Sequence, residues 1–161
     1  MGIVTCAING LYNIICRDPE TAAGGLTPED VNRHADGFYR VGRMRLEDLE
    51  SEDIDRKVEI IYNGTDDWIG LMATYDQQRQ RRFGVTIRIG YFVGDHEMES
   101  QPIAGDDEHQ IAKAIMIQNN WPSTCAGGGC IEAYIPGSSQ FNPLNEEQWL
   151  LEMEVTVQVK A

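Results

Sequence analysis

The stretch 83-FGVTIRIGYFV-93 decides the architecture. Phe83, Val85, Ile87, Ile89, Tyr91 and Val93 alternate with Gly84, Thr86, Arg88, Gly90 and Phe92, the two-residue period of a strand with one buried face. The same alternation returns in 148-QWLLEMEVTVQV-159, where Trp149, Leu151, Met153, Val155, Val157 and Val159 oppose Glu152, Glu154, Thr156 and Gln158. Strands that are apolar on one side only must be covered by a second layer, so the rest of the chain is read for what covers them.

Helical periodicity supplies that layer. Val4, Ala7, Ile8, Leu11 and Ile14 or Ile15 recur at helical spacing until Asp18-Pro19 interrupts the pattern. Between the two strands, 105-GDDEHQIAKAIMIQNNW-121 predicts a second helix capped by Asp106 or Asp107. Ile111, Ala114 and Ile115 form its apolar face, and it ends near Asn120, before Trp121-Pro122. Further strands are expected at 38-FYRVGRMRL-46, 57-KVEIIY-62 and 130-CIEAYI-135, the last ended by Pro136-Gly137. Thr27-Pro28 is expected to open a short helical turn. Residues 64 to 82 admit a strand, a turn and a strand, but a helix is favoured. Trp68, Met72 and Tyr75 share a helical face, with Asp66 and Asp67 at one end and Arg79, Arg81 and Arg82 at the other. The whole predicts a single α+β domain over residues 1 to 161: a mixed or antiparallel sheet with two or three helices packed mainly on one face.

Composition bounds the function. At 161 residues the chain is long enough to bury a core without staples, and no apolar run reaches the roughly 20 residues of a membrane span. The amino-terminal segment lacks a basic n-region and a small-residue cleavage site, so an unexported chain with reduced thiols is expected from its four cysteines. A formal charge of −13 opposes binding to phosphate backbones, which draws on clustered Lys and Arg. Residues 1 to 82 carry 10 of the 13 bases and a net charge of −5, whereas residues 83 to 161 carry −8. The acid-rich 46-LEDLESEDID-55 is expected to be a solvated loop or helix start.

Two stretches invite a chemical reading. In 121-WPSTCAGGGCIEAYIPG-137, Cys125 and Cys130 flank three glycines. A zinc site would need a second local pair, but Cys6 and Cys16 are ten residues apart on the first helix and face different directions. A phosphate loop would need a lysine and the order strand, loop, helix; here the order is helix, loop, strand. A disulfide switch across the pair fits poorly in a reducing compartment, and a connector remains. In 94-GDHEMESQPIAGDDEHQ-110, His96 and His109 stand among six carboxylates, a set able to hold a divalent metal or do acid–base work. Against this, polar loops and acidic helix starts have that composition anyway, and no ligating pair of histidines falls on one helix turn. His34 is isolated, and Ser138 and Ser139 do not sit on a nucleophile turn. No catalytic, metal-binding or cofactor-binding set emerges, and an enzyme is not expected.

What emerges is an order of elements. The run VTIRIGYFVG, a polar loop, a helix opening in acids and closing at NNW, a glycine-containing loop, then CIEAYIPGSSQFNPLNEEQWLLEMEVTVQV resembles the tail terminator (tail completion) proteins of long-tailed bacteriophages. The resemblance covers residues 83 to 161 and extends weakly to the first helix and FYRVGRMRL. It implies a structural virion protein assembled in the host cytoplasm. Six copies would form a ring on the head-proximal end of the tail tube, end tube polymerisation and dock the head–tail connector, while DNA passes through unbound. A ring needs two different complementary patches on one subunit. The candidates are Arg40, Arg43, Arg45, Arg79, Arg81 and Arg82 against Asp95, Glu97, Glu99, Asp106 and Asp107. Three alternatives stay open: another phage neck or head–tail joining protein; a small oligomeric ligand-binding module with a pocket near Trp68, Tyr91 or Trp121; and a metal-dependent enzyme using His109 and the 95 to 109 acids.

Overall fold

The computed structural model describes residues 2–26, 37–69, 80–94, 97–117, 120–121 and 130–160, with the side chains of 3, 66–69, 80, 97–100, 130–135 and 160 left out. The described elements are a helix α1 (Ile3–Ile15), strands β1 (Tyr39–Arg40), β2 (Lys57–Ile69) and β3 (Gln80–Phe92), a helix α2 (Glu97–Ile115), and strands β4 (Cys130–Pro143) and β5 (Gln148–Lys160). They form one five-stranded sheet in the order β1-β2-β3-β5-β4, with the two helices packed on one face. β1 runs parallel to β2 and all other pairings are antiparallel, so the sheet is mixed, and the expected α+β architecture is the observed one.

The register follows from the alternation. Phe83, Val85, Ile87, Ile89 and Tyr91 stand opposite Val157, Val155, Met153, Leu151 and Trp149, so both apolar rows fall on one face. A slip of one residue would turn both rows to solvent, which fixes the pairing. Val58 and Ile60 of β2 extend the same face through their pairing with Ile89 and Ile87. Over it lie Ala7, Leu11 and Ile15 of α1 and Ala104, Ile111 and Ile115 of α2, all buried. Each large side chain buried there contributes about 1.5–3 kcal/mol.

Four local expectations are corrected. The strand expected at 38–46 is only Tyr39–Arg40; the chain then leaves the sheet, and Arg43 and Arg45 are exposed. Residues 64 to 69 and 80 to 82 are strand rather than helix: β2 continues to Ile69 and β3 begins at Gln80, with Asp67 paired to Arg82 and Trp68 to Arg81. Cross-strand pairing with a neighbour already fixed in the sheet outweighs a weak local helical pattern. Residues 70 to 79 lie outside the described residues, as does the turn expected at Thr27-Pro28. α2 starts at Glu97, well before the expected cap at Asp106 or Asp107, and ends at Ile115. Pro102 costs it a backbone hydrogen bond and Gly105 about 1 kcal/mol, but burial of Ala104 and Asp107 against the sheet carries the helix through both. Beyond its end, Trp121 Nε1 donates to the Ile115 carbonyl at 2.7 Å and Asn120 Nδ2 to the Ala114 carbonyl at 2.8 Å, satisfying carbonyls a helix end leaves open. Finally, β4 does not stop at Pro136-Gly137 but runs to Pro143, with register shifts between Ile131 and Ala133 and between Pro136 and Ser139.

The second face of the sheet has its own cover at one end. The acid-rich segment, expected as a solvated loop, forms two 3-10 turns, Leu46–Asp48 and Ser51–Ile54. Leu46 and Ile54 are fully buried with Val41 and Leu150 in a small separate core. The acids of this segment are solvated, while its two apolar residues strap it to the sheet. Gly90 makes the close approach possible, since a Cβ there would stand 2.2 Å from Ile54 Cγ1 and 2.6 Å from the Ile54 carbonyl oxygen.

Candidate functional site

The titratable groups that converge in this fold hold its layers together. Arg56, at the end of the strap, has φ +54, a left-handed conformation that disfavours non-glycine residues. Its amide donates to the Gly90 carbonyl at 2.6 Å, and its carbonyl accepts from Tyr39 N–H at 3.1 Å. Its guanidinium reaches the helix-covered side, 3.5 Å from the Asp107 carboxylate, and both side chains are almost wholly buried. Tyr91 donates its hydroxyl to the same carboxylate at 2.7 Å. Burial pushes the Asp107 carboxyl up, with Arg56 opposing, and pushes the Tyr91 hydroxyl well above its ordinary range, with the Asp107 charge adding to the effect. On the opposite face Arg88 donates to Glu59 Oε1 at 2.7 Å and to Glu47 of the strap, while Glu59 Oε2 accepts from the Leu46 amide at 3.2 Å. The hydrogen bond from Arg88 holds the Glu47 carboxyl below its usual value. One network ties α2 to the sheet and the other ties the strap to it.

These placements sort the candidates named from sequence. Asp107 is buried inside the protomer and engaged by Arg56 and Tyr91, so it is not part of an interface surface, a correction. Asp106 is exposed on α2. The side chains of Glu97 and Glu99, and residues Arg79 and Asp95, lie outside what is described. Arg81 donates to Thr65 Oγ1 at 2.6 Å and to the Tyr62 hydroxyl, and Arg82 donates to Gln158 Oε1 at 2.9 Å, which fixes both on the sheet. Arg40, Arg43 and Arg45 are exposed around the β1 edge, well away from these two.

The chemical alternatives sort in the same way. His109 is exposed on α2, and Glu108 accepts from Ser139 Oγ of β4. Among the described residues no group of three His, Cys, Asp or Glu side chains could hold a metal ion. Tyr91 and Trp121 are buried and hydrogen-bonded, and the Trp68 side chain is outside the description. Cys6 is disulfide-bonded, which corrects the expectation of reduced thiols throughout. The partner of a helix residue is set by the fold, which local cysteine spacing does not reveal. Cys16 is free and buried, its thiol pushed up to about 12 by burial. Residues 122 to 129, with Cys125, lie outside the described residues, and Cys130 opens β4. No described helix is long and apolar enough to cross a membrane.

Two charged surfaces remain. The first is acidic and joins two sequence-distant segments. Gln148, buried at the start of β5, donates its Nε2 to the Leu49 and Ser51 carbonyls at 3.0 and 3.1 Å, so the strap and the β4–β5 turn are held side by side. The turn itself is closed by Asn145, whose Oδ1 accepts from the amides of Glu147 and Gln148, each at 2.9 Å. Asp48, Glu50, Glu52, Asp53, Glu146 and Glu147 are all exposed there, and none forms an ion pair among the described residues.

The second surface is a basic cleft of about 460 Å³ between the end of α1, the 17–24 turn and β1. Arg40 Cζ stands over the Tyr12 ring, 3.9 Å from its centroid, and Tyr12 is itself fixed because its hydroxyl accepts from the Ile60 amide at 2.8 Å. Arg17 closes the 17–22 turn through two donors to the Ala22 carbonyl, at 3.0 and 2.7 Å. Asp18, the one acid among the described residues of the cleft, is engaged by the amides of Glu20 and Thr21, which hold its carboxyl below the usual value. Arg40 was legible in the sequence as a contact residue, whereas Tyr12, Gln148 and the acidic turn were not. Tyr12 and Gln148 are polar residues interrupting apolar rows, the one available signal. No protein-family model matches the chain, and no curated protein matches it in sequence.

Proposed function

We propose that the chain is a structural subunit of a phage tail terminator, working by contact with copies of itself and without a reaction or cofactor of its own. Six copies close into a ring on the head-proximal end of the tail tube, stop tube growth and present a face to the head–tail connector. The protein thus belongs to the neck of the virion and is assembled in the host cytoplasm. One observation supports the reading: in the run that bears the resemblance, β5 pairs with both β3 and β4, and α2 lies in the chain between β3 and β4. Two features add support. The converging ionisable groups, Arg56–Asp107–Tyr91 and Arg88–Glu59–Glu47, serve the layers of the protomer itself. The protomer also carries separate acidic and basic surfaces, which a closed ring of identical contacts requires. A net charge of −13 suits a channel through which DNA slides, because carboxylates repel the phosphates that lysine-rich walls would hold.

The test is assembly state. Light scattering and negative-stain imaging of the purified chain should show discrete rings with the mass of six protomers. A monomer or a two-fold dimer as the largest species at high protein concentration would overturn the reading.

A further inference from the structure

We propose that the basic cleft at the β1 edge is a docking site for the acidic strap of a second copy of this chain. The inference rests on the ring reading and names the contact that closes it. The cleft is built for carboxylates. Arg40 is laid on an aromatic ring that is itself hydrogen-bonded to β2, so its guanidinium is held in place with its donor edge open, the geometry that favours bidentate carboxylate binding. Arg43 and Arg45 follow it on the exposed chain, and Lys57 stands 5.9 Å from the Tyr39 ring on the neighbouring strand. This concentration of cations suits anions brought by a partner, since among the described residues of the cleft the one acid, Asp18, is engaged in a turn.

The occupant is identified by charge complementarity and by what the protomer forbids. Its own strap cannot turn back into the cleft, because Leu46 and Ile54 are buried under the sheet and Gln148 pins Leu49 and Ser51 beside β5. The nearest approach within one protomer is Arg45 to Glu47, at 3.9 Å. The acids of the β4–β5 turn, Glu146 and Glu147, are further off: β1 and β5 are three strand spacings apart in the order β1-β2-β3-β5-β4, about 14 Å, beyond the roughly 8 Å over which exposed charges interact at physiological salt. Among the described residues Glu50, Glu52, Asp53, Glu146 and Glu147 form no ion pair, which leaves them available to another molecule. Because the two surfaces differ, each contact leaves one of each kind free, so the contact is heterologous and propagates until it closes. The sheet edge is a poorer means of joining copies: β4 carries Pro136 and Pro143 and two register shifts, features that blunt edge pairing.

The experiment is a charge swap read by sedimentation velocity at low ionic strength, with circular dichroism and melting curves as controls for folding. Arg40→Glu/Arg43→Glu and Glu50→Lys/Glu52→Lys should each weaken self-association roughly a hundredfold, the effect of placing like charges face to face. Mixed in equal amounts, the two variants should recover oligomers, since each reversed surface now fits the other chain. The neutral pair Arg40→Gln and Glu50→Gln, which leaves the fold least disturbed, should weaken association without restoring it on mixing. Variants that assemble like the unaltered protein, or reversed chains that do not recover on mixing, would overturn the proposal while leaving the ring reading intact. Recovery on mixing that stops at dimers would uphold this contact and overturn the ring.

Discussion

Substituting Gly90 by alanine should strain the seat of the strap on the second face of the sheet. The added Cβ would stand 2.2 Å from Ile54 Cγ1, 3.0 Å from Ile54 Cδ1 and 2.6 Å from the Ile54 carbonyl oxygen, where carbon contacts settle at about 3.5–4.0 Å. Rotating Ile54 relieves the first two contacts but not the third, which is backbone. If the strap stays seated, overpacking costs about 1–3 kcal/mol. If it lifts, burial of Leu46 and Ile54 is lost, about 1.5–3 kcal/mol for each. The cheaper course sets the outcome, so Gly90→Ala is expected to cost about 1–3 kcal/mol, a fall of roughly 2–12 °C in Tm for a chain of this length. Ile54→Ala alone should cost about 2–5 kcal/mol. The double variant should cost less than the sum by about 1–2 kcal/mol, because truncation removes two of the three collisions. Guanidinium titration gives the energies. Hydrogen exchange at the Arg56 amide, bound to the Gly90 carbonyl, and at the Phe92 amide, bound to Asp55 Oδ1, locates them. A Gly90→Ala protein within about 0.5 kcal/mol of the parent, with both amides as well protected, would refute the close packing inferred here.

The buried carboxylate predicts a pH dependence. Burial raises the folded pKa of Asp107, so its contribution to stability is fully present below the unfolded value near 3.8 and is lost as pH rises through the folded value. Asp107→Asn should therefore gain on the parent as pH rises above 4, by at most about 1.4 kcal/mol per unit, and a steady loss in urea titrations over that range would show that attraction to Arg56 dominates. Glu47 has the opposite sign: the Arg88 hydrogen bond lowers its folded pKa, giving stability present above the unfolded value near 4.5 and lost as pH falls through the folded one. Arg88→Met should flatten that acid limb of the stability curve, and an unchanged limb counts against the Arg88–Glu47 contact. Native Cys16, buried with its thiol near 12, should resist a thiol reagent at pH 8 and react only on unfolding; prompt labelling in the native state contradicts its placement. Trp121→Phe removes the donor to the Ile115 carbonyl and should cost about 1 kcal/mol by thermal melting, with fraying at the end of α2 seen by hydrogen exchange.

The sheet was legible where burial on one face imposes strict alternation. β3 and β5 pair over their whole length, and every odd-numbered residue from Phe83 to Val93 and from Leu151 to Val159 is buried as its pattern demands. The pattern misled where burial is weak or comes from a distant segment. β2 beyond Tyr62 holds its strand through pairing with Arg81 and Arg82, and α2 passes through Pro102 and Gly105 because its inner face meets the sheet. A single residue, Gly90, carried a signal that was there to be read: glycine within a strand marks close backbone approach, and here that approach is made by the strap.

The charged surfaces show why sequence charge alone located them badly. Divided at residue 82, the chain reads as an arginine-bearing amino half facing a more acidic carboxyl half, with the acids nearest the second helix as the complement to the arginines. The fold overturns that division. Asp107 turns inward to Arg56, while acids of the amino half join those of the β4–β5 turn through Gln148, 97 and 99 residues away from the carbonyls it binds. Both surfaces that matter for contact thus arise at least in part from the amino half: Arg40, Arg43 and Arg45 leave the sheet at β1, and the acids follow on a strap that crosses to β5. One segment of fewer than twenty residues carries both kinds of charge to different sides of the protomer, and it is seated by Ile54 on Gly90. If the contact between copies uses these surfaces, Gly90→Ala must weaken association although Gly90 touches no partner. An oligomer indifferent to Gly90→Ala, in a protein whose strap has measurably lifted, would place the contact elsewhere on the molecule.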